Sequence, residues 1–197
     1  MKEMDYYFTS LSPFAYLGQQ KLHQLAEKYR VKIHYKPIQL GPVFGASGAL
    51  PLGQRPKSRQ AYRLTELKRW SEFRQQPMNI QPTYFPVDPS LADRCIIALL
   101  QQGKEVSAFA GAVMRACWSQ EQNIADEDVL TQLLLEHQLD AQDVLSLAKQ
   151  ESTLAQYQAN TEEAVAKGVL GSPSYWLQEE QFWGQDRLEL LEVALQV

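Results

Sequence analysis

Only two of the chain's 197 residues are cysteine, Cys95 and Cys117, and they stand far apart in apolar stretches. Two isolated thiols supply neither a disulfide framework nor a zinc site, so no metal is expected. Basic charge is also scarce: Lys and Arg together number 19 against 23 Asp and Glu, a net charge of −4. A duplex-binding protein carries a basic footprint, and the lack of one removes nucleic acid from the expected partners. No window approaches the roughly 18 consecutive apolar residues of a membrane span, so no membrane partner is expected. The opening MKEMDYYFTS has acids and tyrosines where a secretory signal has a basic start and an apolar run. The expected location is the cytoplasm, where thiols stay reduced.

Apolar residues are plentiful at 45%, with 10% aromatic, enough to bury a full core. At roughly 150 residues per domain the length fits one large domain, or a small one carrying an insertion. Met4 to Thr9 is a short aromatic strand pattern that Ser10-Leu11-Ser12-Pro13 cuts off. Ser12 suits a helix cap, and Pro13 suits the first helical position because no N–H is needed there. A helix is expected to about Arg30, followed by a strand in which Val31, Ile33 and Tyr35 alternate with Lys32, His34 and Lys36. The first forty residues therefore read β-α-β, with parallel strands.

The Gly- and Pro-rich stretch 41–56 reads as a connecting loop. Residues 57–150 read as an all-helical insertion, interrupted by the proline-rich Pro77–Pro89 loop. After a helix over about Ser152–Lys167, Ser174–Leu177 and Gln181–Trp183 read as a hairpin around Gln178–Glu180. Asp186 would cap a last helix, Arg187 to Leu195. Residues 1–40 and 151–197 then give β-α-β…α-β-β-α, an α/β thioredoxin-type core split by a helical block.

In such a core the junction of the first strand and helix is where redox members hold C-x-x-C, because the helix N-terminus stabilises a thiolate. Here the two positions are Ser12 and Ala15. Disulfide exchange needs a sulfur nucleophile, so dithiol chemistry is excluded. From the local sequence alone, where Ser-Pro helix starts are common, a plain helix cap is the favoured reading of Ser12. Gly171-Ser172-Pro173-Ser174 stands at the position of a cis-proline loop, although an ordinary trans X-Pro bond fits the same residues. Gln185 and Asp186 could hold a ligand ammonium and carboxylate. His23, His34 and His137 lie away from all of these in sequence.

SPFAYLG (Ser12–Gly18), PMN (Pro77–Asn79), RACW (Arg115–Trp118), NIADEDVL (Asn123–Leu130), GVLGSPSYW (Gly168–Trp176) and FWGQDRLELL (Phe182–Leu191) span nearly the whole chain in order. In these blocks the chain resembles the 2-hydroxychromene-2-carboxylate isomerase family, which is similar to kappa-class glutathione transferases and DsbA-type oxidoreductases. The resemblance implies a DsbA-like thioredoxin fold and glutathione as cofactor, its sulfur facing Ser12. It implies that Leu170, Gly171 and Ser172 bind the peptide backbone of glutathione beside cis-Pro173. Gln185 and Asp186 would hold its γ-glutamyl end. The sequence departs from the family pattern at Thr9, often Asp; at Ala15, a second Ser; and at Gly48-Ala49, usually Gly-Asn.

The implied activity is isomerisation of an aromatic-ring-degradation intermediate by reversible thiolate addition, bond rotation and elimination. Ser12 would be the catalytic residue. Lys57 or Arg59, with Asn79, would orient the carboxylate and oxyanion of an aromatic oxo-acid substrate. Phe14 and Trp118, with Tyr84 and Phe85, would wall its slot, although core packing explains each equally well. The competing readings are a kappa-like glutathione transferase or peroxidase, and a thioredoxin-fold binding protein without chemistry. A homodimer is the expected assembly on general grounds.

Overall fold

The computed structural model describes residues 2–196. At its centre is a four-stranded sheet of β1 (Lys2–Phe8), β2 (Val31–Pro37), β3 (Ser174–Leu177) and β4 (Glu180–Trp183), in the order β2-β1-β3-β4. β1 runs parallel to β2 and antiparallel to β3, and β4 is antiparallel to β3. Strand alternation sends Met4, Tyr6 and Phe8 to one face. There Tyr6 stacks on Phe8 and Tyr175, with ring centroids 4.4 and 5.3 Å apart, and Tyr35 meets both Tyr6 and Phe8 edge-on.

Helix α1 (Pro13–Tyr29) crosses from β1 to β2 and ends at Arg30 in the left-handed conformation. The helical block then comprises α3 (Lys57–Arg74), α4 (Ser90–Gln101), α5 (Ser107–Trp118), α6 (Glu127–Glu136) and α7 (Ala141–Ala148). α8 (Glu151–Ala166) leads back to the sheet, and α9 (Leu188–Leu195) closes the chain on it. Leu17 and Leu22 of α1, Ile96 and Leu99 of α4, and Phe109 and Val113 of α5 belong to one continuous buried cluster with the strands. The sheet and the helical block therefore share a core. The whole is a DsbA-like thioredoxin fold with a helical insertion. No helix among the described residues is long and apolar enough to cross a membrane.

Three local expectations change. The 41–56 stretch is not all loop: α2 occupies Leu40–Ser47, and a short 3-10 turn follows at Leu52–Gln54. Gly41 and Pro42 fall in the first turn of α2, where proline's missing N–H removes no intrahelical bond, and Gly48, at φ 74, ends it. The hairpin turn is tighter than expected, because Glu180 joins β4 and Gln178 takes the left-handed conformation. Asp186 does not cap α9: it sits inside a 3-10 turn, Gln185–Arg187, and its carboxylate pairs with Arg187.

Gly18 of α1 sits where helix and sheet approach closely. A Cβ there would lie 2.8 Å from the Tyr175 hydroxyl and 2.9 Å from Gln185 Cβ. Both neighbours are buried and cannot step aside. Gly18→Ala is expected to lower stability by about 1–3 kcal/mol, read as a fall in the denaturant midpoint. An unchanged midpoint would show that the seam between α1 and β3 has slack.

Candidate functional site

The tip of α1 and the loop before β3 meet through Ser12 and Ser172. Ser12 Oγ accepts from the Ala15 N–H at 3.2 Å and donates to the Ser172 carbonyl at 3.0 Å. The first bond is the helix cap anticipated from the sequence; the second ties the cap to the opposite loop. Thr9 N–H adds a further tie, donating to Ser172 Oγ at 3.1 Å. The Ser172–Pro173 peptide is cis. Pro13 has no N–H, and those of Ala15 and Tyr16 are taken by Ser12 Oγ and Ser12 O, so the Phe14 N–H is the donor left free at the tip.

Behind this junction lies Asp93 of α4, fully buried and with no cationic partner among the described residues. Its carboxylate collects the Ser10 N–H at 2.8 Å, the Thr9 hydroxyl at 2.8 Å and the Tyr157 hydroxyl at 2.8 Å. Burial pushes its pKa up to about 6, and the three donors only partly offset that. Asp93 thus clamps the two residues that carry the chain from β1 towards Ser12. The sequence carried a signal for it: an acid at i−3 and i−4 from the buried Ile96 and Ile97 stands on an apolar helix face.

In front of the junction is a cavity of about 400 Å³, within the usual range of small-molecule sites. Ser12, Phe14, Gly171, Ser172, Gln185 and Asp186 all line it. The structure therefore brings together residues from the chain's two ends, some 160 positions apart. Gln185 is buried, and Arg74 fixes it by donating to its Oε1 at 2.9 Å and its carbonyl at 2.9 Å. Its Nε2 is buried with no acceptor among the described residues. Gly184 holds φ at 100°, and a Cβ on it would collide with the Asp186 carboxylate. Leu170 is exposed and Pro173 buried behind the loop; neither lines the cavity.

A family model described as the DSBA-like thioredoxin domain matches residues 3–196. A 2-hydroxychromene-2-carboxylate isomerase of Pseudomonas putida is 30% identical over 98% of this chain and 93% of its own length. The chain belongs to the 2-hydroxychromene-2-carboxylate isomerase family of DSBA-like thioredoxin domains. A solved 2-hydroxychromene-2-carboxylate isomerase structure superposes with a TM-score of 0.84 at 28% identity, covering 98% of this chain and 94% of that one. Glutathione S-transferase kappa 1 of Caenorhabditis elegans is 26% identical, covering 100% of this chain and 92% of its own. The isomerase relatives support an enzyme of the isomerase kind.

Other residues expected from the isomerase family pattern lie elsewhere. Lys57 and Arg59 are on the exposed first turn of α3 and do not line the cavity. Asn79 is likewise outside: its N–H donates to Trp118 O at 2.6 Å and its Nδ2 to Glu121 at 2.5 Å, so it braces the proline-rich loop. Trp118 is fully buried, 4.8 Å behind the Phe85 ring that does reach the cavity. Tyr84 is exposed and turned away from the lining. The basic side chains that do line it are Arg55, Arg63 and Arg187. Arg63 could have been found from its spacing, since residues 63, 67 and 70 share a helix face with buried Leu67 and half-buried Trp70.

The raised pKa of Asp93 makes a pH signature. A carboxyl lifted from 3.8 to about 6 on folding favours the native state most below pH 4, and that contribution fades as pH rises through 6. The stability of the wild type relative to Asp93→Asn is expected to fall by on the order of 2 kcal/mol between pH 4 and pH 7. Chemical denaturation of both proteins at each pH measures it; a pH-independent difference would mean that Asp93 is not desolvated.

Proposed function

We propose that the chain is a glutathione-dependent isomerase of the 2-hydroxychromene-2-carboxylate type. The observation that carries this reading is the Ser12 hydroxyl, 3.0 Å from Ser172 O at the wall of the cavity, with a helix N-terminus behind it. The kappa-class relative supports glutathione as the thiol. Gln185, which lines the cavity at the γ-glutamyl seat implied by the family pattern, supports it too. Asp186 beside it matches the ammonium group, and Gly171 and Ser172 present backbone groups for the extended peptide. When bound, glutathione supplies a thiolate that adds reversibly to a conjugated double bond and leaves after the bond has rotated.

The protein's task is to make that thiolate available near neutral pH. A thiol of pKa about 8.5 is only ~3% ionised at pH 7. Lowering the pKa by ~2 units takes ~2.7 kcal/mol. A hydrogen bond to a charged acceptor supplies roughly 1.5–3 kcal/mol, and a helix N-terminus roughly 0.3–1. Ser12 with the tip of α1 meets that requirement without a histidine base. His23, bonded to Tyr35 OH at 2.8 Å, serves the interior instead.

The Ser12 hydroxyl donates to Ser172 O. That carbonyl has a second lone pair for a glutathione N–H, and the Ser12 hydroxyl would give up its own bond there by turning to the sulfur. One rotation of the Ser12 O–H thus exchanges a structural bond for a functional one, while the Ala15 N–H keeps the oxygen in place.

Ser12→Ala is expected to cut turnover of 2-hydroxychromene-2-carboxylate by about 10- to 100-fold, the share carried by one charge-assisted hydrogen bond. Glutathione affinity should fall far less, and stability by about 1 kcal/mol for the lost cap. Steady-state rates, calorimetry and a glutathione mass balance together test the reading. Equal turnover in wild type and variant would remove Ser12 from the chemistry. Stoichiometric consumption of glutathione would favour a kappa-like transferase, and no glutathione binding would favour a protein without this chemistry.

A further inference from the structure

Acidic and basic groups around the cavity do not balance. Its two acids are already paired with other residues: Asp186 with Arg187 at 2.6 Å, and Glu66 with Arg69 at 3.0 Å. Glu66 also accepts from Trp70 Nε1. Arg55 and Arg63 remain without a carboxylate partner among the described residues. The two differ in their surroundings. Arg55 donates to Leu50 O at 2.7 Å and lies over Phe44, whose ring is next to Gly171. Arg63 makes no hydrogen bond to any described residue and lies over Phe85 and Trp118, at 5.3 and 6.0 Å from their ring centres.

Withdrawing a guanidinium from water without a counter-ion is unfavourable, and burial lowers the pKa of Arg63 to about 10, still well above neutrality. A stably folded chain tolerates such a group when a ligand completes it. The two rings support the guanidinium through cation–π contact while leaving its N–H edge available for a planar, two-oxygen acceptor. Phe14 and Trp70 line the same cavity and offer apolar surface to a ring attached to that acceptor.

We propose that Arg63 is the substrate-carboxylate seat of this enzyme, gripping an aromatic acid between its guanidinium edge and the Phe14–Trp70–Phe85 walls. This rests on the glutathione-dependent reading above and adds the residue that selects acids over neutral aromatics. It also replaces Lys57 and Arg59 in that role. Carboxylate recognition by a stacked arginine is not reproduced by lysine, whose ammonium is a point charge without the flat fork.

The test uses trans-cinnamate and its neutral amide, cinnamamide, as probes, titrated by calorimetry into protein saturated with glutathione. The wild type is expected to bind cinnamate and to prefer it to cinnamamide. Arg63→Leu should weaken cinnamate by roughly 10- to 100-fold and leave cinnamamide unchanged, while Arg63→Lys recovers part of the loss. Glutathione uptake by Arg63→Leu itself shows that the variant's site is folded. Cinnamate affinity that is the same in wild type and Arg63→Leu overturns the proposal and leaves the glutathione reading standing. Selective loss of glutathione binding in Arg63→Leu also overturns it, by assigning the arginine to the cofactor. Failure of the wild type to bind glutathione defeats the parent reading and this one with it.

Discussion

The hydrogen bond from Ser12 to the Ser172 carbonyl is the contact on which the site depends. It joins the first helix to the loop before the third strand, and so closes one end of the cavity. Its geometry is inherited from deeper in the protein. Asp93, behind the tip of α1, holds Ser10 and Thr9, and Thr9 in turn holds Ser172. An ionised carboxylate in that place opposes folding through desolvation, yet its two oxygens accept three donors, two from the turn and one from Tyr157. The tip of α1 is therefore positioned by a polar knot set into an apolar core, with α4 of the helical block supplying the knot's centre.

Ser12 can combine the structural role seen here with the chemical one proposed for it. Its oxygen accepts from the Ala15 N–H, which fixes the atom. Its proton is not needed there, and a hydroxyl rotates freely enough to change acceptors. The serine thus keeps a hydroxyl at a helix N-terminus on the wall of the cavity. The buried Cys95 and Cys117, each with its thiol pKa pushed up to about 12, take no part in such chemistry.

Much of this architecture is legible in the sequence because its signals are local. Ser12-Pro13 marks the start of α1, alternation marks β2, and the family blocks at Gly168–Trp176 and Phe182–Leu191 point to the second half of the site. Three features escape for physical reasons. α2 is hidden because Gly41 and Pro42 look like loop residues unless they are known to occupy a first turn. Asp186 satisfies the pattern of a helix cap, but an Arg next to it in the chain captures its carboxylate instead. The family pattern points to Lys57 or Arg59 for a basic group at the cavity and passes over Arg63, which lines it. Only the phase of α3 against the buried Leu67 turns Arg63 inward and leaves the other two in solvent.

A crystal structure of the protein with glutathione decides whether Ser12 meets the thiol. The glutathione sulfur is expected within hydrogen-bond distance of Ser12 Oγ, its cysteinyl N–H on the Ser172 carbonyl, and its γ-glutamyl end against Gln185 and Asp186. A tripeptide bound elsewhere, or a Ser12 hydroxyl still donating to Ser172 O with the sulfur out of reach, would contradict it.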